Sequence, residues 1–213
     1  GGTAIGAALA FTFQIYCDFC GYSSMAIGLA RVLGFDLMAN FDKPYFSRTP
    51  SEFLRRWHIS LSSWLRDYLY LPLGGNRGGA AKTYRNLMLT MLLGGLWHDT
   101  AWTFVAWGAL HGGILVFYRV LNIDAVLART PLQSLRGWLL HGMAWMVMML
   151  VVIAGWILFR ATSFVEAAHM FAAPFRGAAY DWSGLAFVCS YVWPLVLVEI
   201  GQRALGKKEI LGS

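Results

Sequence analysis

Five histidines punctuate the 213-residue chain, and two of them, His98 and His111, stand with Asp99 in an otherwise apolar run from Leu87 to Tyr118. An imidazole held near a hydroxyl can accept its proton, which is the chemistry of a general base. Ionisable groups at depth in a membrane-type segment are costly and are kept where they have a function. Glycine pairs at 94–95 and 112–113 loosen the same run and let another backbone or a ligand come close. The stretch reads as the reactive centre of an integral membrane enzyme. Elsewhere, Asp18 interrupts the first apolar segment, and His58 sits beside Trp57 and the pair Arg55–Arg56. A lone histidine in such a helix is, on spacing alone, more often a hydrogen-bonded structural group than a catalytic one. No H-E-x-x-H motif or spaced carboxylates accompany the histidines, and Cys17–Cys20 lacks a second pair, so no metal site is expected.

Composition places these groups in a bilayer. Hydrophobic residues make up 58% of the chain and charged ones 13%, against roughly half and a quarter in soluble domains. Ten tryptophans and nine tyrosines suit membrane interfaces, where amphipathic aromatics collect. The net charge of +6 is concentrated between the apolar runs: eight basic residues against three acidic ones from Asp42 to Asn86. The positive-inside rule puts that connection in the cytoplasm. Its partners are then membrane lipid headgroups and acidic substrates, not nucleic acid.

The elements expected from N to C terminus follow from length and punctuation. Residues 3–35 exceed one crossing of about 20 residues, so a span to about Tyr16, a break around Asp18–Ser24 and a second helix to Leu33 are predicted. Asp18 would face the protein interior, either helping to bind substrate or capping the second helix. Thr49-Pro50-Ser51-Glu52 is a capping box opening an amphipathic helix over 49–70 that lies in the membrane interface, with Phe53, Trp57, Leu61, Trp64, Leu65 and Tyr68 on one stripe. The glycine-rich stretch 71–79 reads as a flexible turn. The run 87–118 is either one long tilted helix or two half-helices meeting near His98-Asp99-Thr100. A polar link over 119–136 precedes the cleanest span, 137–159. Ser163-Phe164-Val165-Glu166 opens a short helix to about Phe175, and 183–200 makes a last span kinked at Pro194. Arg203, Lys207 and Lys208 favour a cytoplasmic end. The chain starts at Gly1 and enters apolar sequence directly, and is expected to be the C-terminal part of a longer protein, with 1–213 forming one membrane domain.

Three blocks together resemble the membrane-bound O-acyltransferase family, in particular its bacterial branch of alginate O-acetylation and D-alanine transfer proteins. They are Phe13-Gln14-Ile15-Tyr16-Cys17-Asp18-Phe19-Cys20-Gly21-Tyr22-Ser23, then Phe53-Leu54-Arg55-Arg56-Trp57-His58-Ile59-Ser60-Leu61-Ser62 running on to Arg77, and Gly95-Leu96-Trp97-His98 with Trp102 to Gly112. The resemblance implies an all-α integral membrane bundle with broken or re-entrant helices and an interfacial amphipathic helix. It implies an O-acyltransferase, with acetyl as the default group. His98 matches the family's catalytic histidine and His58 its second typical histidine. Arg55, Arg56, Trp57, Asp18, Trp97 and His111 are expected to line the substrate site, the two arginines attracting a phosphate-bearing donor. That donor is an acyl thioester, acetyl-CoA or an acyl carrier, used as a co-substrate with no bound cofactor. The acceptor is a polysaccharide hydroxyl, with extracytoplasmic acetyltransferase partners, and the location a multi-pass place in the cell inner membrane. Asp99-Thr100 replaces the usual Gly-Ala after the catalytic histidine, and Ser23-Ser24 the usual Ser-Asp. A catalytically inactive scaffold for partner acetyltransferases and a transporter or channel are the rival classes.

Overall fold

The computed structural model describes residues 2–176 and 183–205. Among the described residues every regular element is helical. Helix α1, Gly2–Val32, runs without interruption for 31 residues, about 46 Å at the standard rise. The expected break at Asp18–Ser24 is absent. The glycines at 21 and 28 meet no neighbouring atom, and Ser24 Oγ donates back to the Cys20 carbonyl at 2.9 Å, so nothing there competes with the helical ladder. Asp18 therefore caps no second helix. The helix stops at Gly34, φ +85°, where Gly34 N–H reaches the Arg31 carbonyl and Phe35 N–H the Ala30 carbonyl, the paired bonds of a Schellman end.

Between 49 and 70 the expected single helix is broken. Helix α2, Pro50–Leu54, and helix α3, Ile59–Leu65, flank His58, whose backbone is left-handed at φ 45°, ψ 57°; a π-turn follows over Arg66–Tyr70. The cause is tertiary. Asp42 N–H donates to the Arg56 carbonyl, Ile59 N–H to the Asn40 carbonyl (both 3.0 Å), and Ser60 N–H and Oγ to Asn40 Oδ1 at 3.1 and 2.6 Å. These partners take groups that a continuous helix would have needed. A non-glycine residue in this conformation costs on the order of 1–3 kcal/mol, which the Asn40 clamp offsets. The capping box itself forms, with Glu52 N–H donating to Thr49 Oγ1 at 3.2 Å. The glycine turn after it is pinned: Asn86, fully buried, donates to the carbonyls of Leu73 and Gly75.

The run around His98 folds as two helices, α4, Ala80–His98, and α5, Trp102–Val120. They pack backbone to backbone. A methyl on Gly95 would run into the Phe104 carbonyl oxygen, one on Gly108 into the Met91 carbonyl, and one on Gly112 would lie 3.2 Å from the Met88 Cα. The link that follows contains the short helix α6, Ile123–Arg129. Helix α7, Leu135–Arg160, is capped by Ser134, and α8, Phe164–Ala172, by Ser163, which accepts from Glu166 N–H at 3.2 Å. Helix α9, Ser183–Ala204, contains Pro194. Among the described residues three helices are long and apolar enough to cross a bilayer: α1, α5 and α7. The apolar part of α9, Val188–Gln202, is shorter. Lys207 and Lys208, read as marking a cytoplasmic end, lie outside the described residues.

The core joins these pieces. Tyr16, Phe41, Tyr45, Phe53, Trp57, Met148, Val152 and Trp156 form one buried cluster. Its polar ends are used: Tyr16 hydroxyl donates to Glu199, Tyr45 hydroxyl to the Thr12 carbonyl, and Trp145 Nε1 to the Tyr45 carbonyl at 2.8 Å.

Candidate active site

His98 is the last residue of α4. Aromatic rings fix it: Trp107 and Phe159, each with centres 5.3 Å away and nearly perpendicular, and Trp97 at 5.1 Å. Among the described residues no side chain hydrogen-bonds this imidazole, which leaves both nitrogens for a reactant. Asp99 is not its partner. That carboxylate folds onto its own turn, accepting from Thr100 N–H at 2.6 Å, and stays exposed.

His58 reaches the same place from the left-handed hinge. Its ring stands edge-on to Phe19 at 4.7 Å, and its Nδ1 lies 3.4 Å from Ser60 Oγ. Burial, and after it repulsion from a protonated His98, pushes its pKa down to about 4, so the ring is neutral at physiological pH. Trp57, buried between Phe53, Phe41 and Trp156, sets the hinge against the core.

Two chambers meet at these histidines. The first, about 470 Å³, is largely apolar and includes Ser51, Arg55, Arg66, Thr90 and His111 in its wall. The second, about 600 Å³, is lined by Gln14 and Asp18 from α1, by Phe19, and by Trp97. Trp57, His58, His98 and Trp107 line both. A reactant in either chamber can therefore touch the same two imidazoles.

The remaining expected residues divide. Asp18 and Trp97 belong to the second chamber. His111 is buried in the wall of the first, its ring 4.4 Å from that of Trp107; it faces Gly155, where a methyl would sit 3.0 Å from its Cε1. The two arginines part company. Arg55 is exposed, lines the first chamber, and has no ion-pair partner among the described residues. Arg56 is held by Glu52, its guanidinium 2.7 Å away, in a polar cleft with Arg48 and His141 that Arg55 also borders. Arg48 also lies 3.6 Å from Glu52 and 3.1 Å from His141 Nδ1. Sequence reasoning did not single out Gln14 and Trp107. Gln14 lies one turn before Asp18, a spacing that points both side chains the same way. Trp107 falls within the third family block, but nothing local distinguishes it from Trp102.

The profile of the membrane-bound O-acyltransferase family matches residues 3–159. This chain belongs to that family. Among curated relatives, a protein of Azotobacter vinelandii named probable alginate O-acetylase AlgI is 53% identical over 83% of this chain and 33% of its own length. A Helicobacter pylori peptidoglycan O-acetyltransferase is 39% identical over 75% of the chain and 29% of its own length. A Streptococcus thermophilus teichoic acid D-alanyltransferase is 33% identical over 51% and 28%. The chain thus spans about a third of the length of these O-acyltransferase-family relatives, and that third contains both histidines and the chambers between which they stand.

Proposed function

We propose that this protein is a multi-pass inner-membrane O-acyltransferase that takes an acetyl group from a cytoplasmic thioester, acetyl-CoA or an acyl carrier, and passes it to a hydroxyl for O-acetylation of an exopolysaccharide such as alginate. The observation that carries this reading is the position of His58 and His98 in the shared wall of two chambers with different linings. A slender, uncharged thioester arm suits the apolar first chamber, with its phosphate end left at Arg55, whose guanidinium can bind it in bidentate fashion. The acceptor hydroxyl enters the second chamber. His98 takes the hydroxyl proton as the oxygen attacks the thioester carbonyl; the C–O bond forms, the C–S bond breaks, and the proton passes from His98 to the departing thiolate. Neutral His58, beside it, orients the reacting groups. The thioester is a co-substrate, and no resident cofactor enters the scheme. The acetyl group then reaches the polymer with the help of extracytoplasmic acetyltransferase partners.

The relatives' names favour O-acetylation over other acyl transfers, since the more similar ones carry it. The test is polymer-linked acetate in cells supplied with the wild-type protein or His98→Ala at equal membrane abundance. Loss of ester in the variant is expected; normal acetylation by it would overturn the assignment.

A further inference from the structure

The two chambers differ in charge as well as in position. The first has Arg55 and the Asp67-paired Arg66 in its wall and, among its described lining residues, no carboxylate. The second has one charged side chain among its described lining residues, Asp18. Asp18 is exposed to that space, and among the described residues no lysine or arginine pairs with it. Beside it on α1 stands the amide of Gln14, and across from it the indole of Trp97, 61% exposed. A carboxylate, an amide and an open aromatic face together bind neutral hydroxylated molecules: the polar groups take hydroxyls and the ring takes apolar C–H faces. The same carboxylate repels a second one brought alongside it against the rings of Phe19, Trp97 and Phe159. Uronic-acid sugars carry a carboxylate on the ring that bears the reacting hydroxyl.

We infer that Asp18, with Gln14 and Trp97, makes the second chamber select an uncharged hydroxyl acceptor and reject sugars bearing a carboxylate. This rests on the acyltransferase reading above and adds the charge class of the acceptor. An acidic polymer is then acetylated outside this chamber, by the partner acetyltransferases, from the neutral ester formed here. The selection works by repulsion of the wrong acceptor as much as by contacts to the right one.

The experiment uses the whole protein in membrane vesicles, with acetyl-CoA as donor and three acceptor probes: glycerol, a uronic-acid oligosaccharide, and the methyl ester of that oligosaccharide, which differs only in lacking the charge. Released thiol and ester-linked acetate are both measured. Transfer to the methyl ester is expected to exceed transfer to the free acid by about tenfold or more. Asp18→Asn should narrow that ratio several-fold. Gln14→Lys, which places a cation one turn away on the same face, should narrow it independently. Equal transfer to acid and ester by the wild type, or a ratio unmoved in both variants, overturns the charge inference while leaving acyl transfer standing. Absence of His98-dependent thiol release with all three probes overturns the acyltransferase reading, and this inference with it.

Discussion

The indole of Trp107 lies edge-on to the imidazole of His98, with ring centres 5.3 Å apart and planes at 81°. The same indole lies 4.4 Å from His111, and its buried Nε1 has no hydrogen-bond partner among the described residues. Trp107 thus braces the candidate base from one side while Phe159 braces it from another. Truncating Trp107 to Ala should let the His98 ring swing, lowering the acyl-transfer rate by roughly 10²-fold, the cost of an ångström-scale misplacement. Trp107→Phe should restore most of the rate, because it keeps the edge contact. Comparing kcat of the two variants decides; equal defects would show that the N–H, and not the ring, is what matters.

Replacing His98 by Ala should lower turnover by about 10²–10⁴-fold, the usual worth of a positioned general base, with Tm unchanged within a few degrees. Donor thioester consumption in detergent-purified whole protein is the readout.

His58 makes stability depend on pH in a definite direction. Its pKa is about 4 in the fold against an ordinary 6.5. The unfolded chain therefore binds more protons between those values, and stability falls as pH drops from about 6.5 to 4. Above 6.5 the contribution is fully present. His58→Gln should flatten the decline in Tm over that window, and an unchanged slope would mean that other groups govern it.

Arg55 and Arg56 should separate cleanly. Arg55→Ala is expected to raise KM for a phosphate-bearing donor about tenfold or more with little effect on Tm, since a charge-assisted bond to phosphate is worth roughly 1.5–3 kcal/mol. Arg56→Ala should leave KM alone and cost about 1 kcal/mol of stability or less, since Glu52 loses one ion pair and keeps the one to Arg48. Donor titrations and melting curves on both variants test the split.

The glycines of the α4–α5 pair supply a packing control. Gly95→Ala drives a methyl into the Phe104 carbonyl and should destabilise by about 1–3 kcal/mol or more. Gly113 has nothing within 4 Å of the added carbon, and Gly113→Ala should be neutral or stabilising by up to about 1 kcal/mol. Tm in one detergent compares them.

Features written in adjacent residues were legible. Thr49/Glu52 and Ser163/Glu166 cap their helices because the bonds involved span three residues. The break after His98 was one of two readings that length allowed. What depended on distant partners was not legible. The left-handed hinge at His58 exists because Asn40, eighteen residues upstream, claims the backbone of residues 59 and 60. Nothing local announces that Arg56 meets Glu52 while Arg55 has no ion-pair partner among the described residues, since Glu52 could have met either. The predicted break in α1 failed for the opposite reason: glycines and serines that permit a bend produce one only when something else competes for the backbone.

The backbone-tight contact of α4 with α5 also separates what can change from what cannot. His98, Trp107 and His111 ride on one hairpin whose spacing tolerates no added methyl at Gly95 or Gly108. Gln14 and Asp18 ride on a different helix, where their side chains meet open space. A lineage, or a designer, can therefore retune which alcohol is accepted by rewriting one turn of α1, and leave the chemical engine untouched.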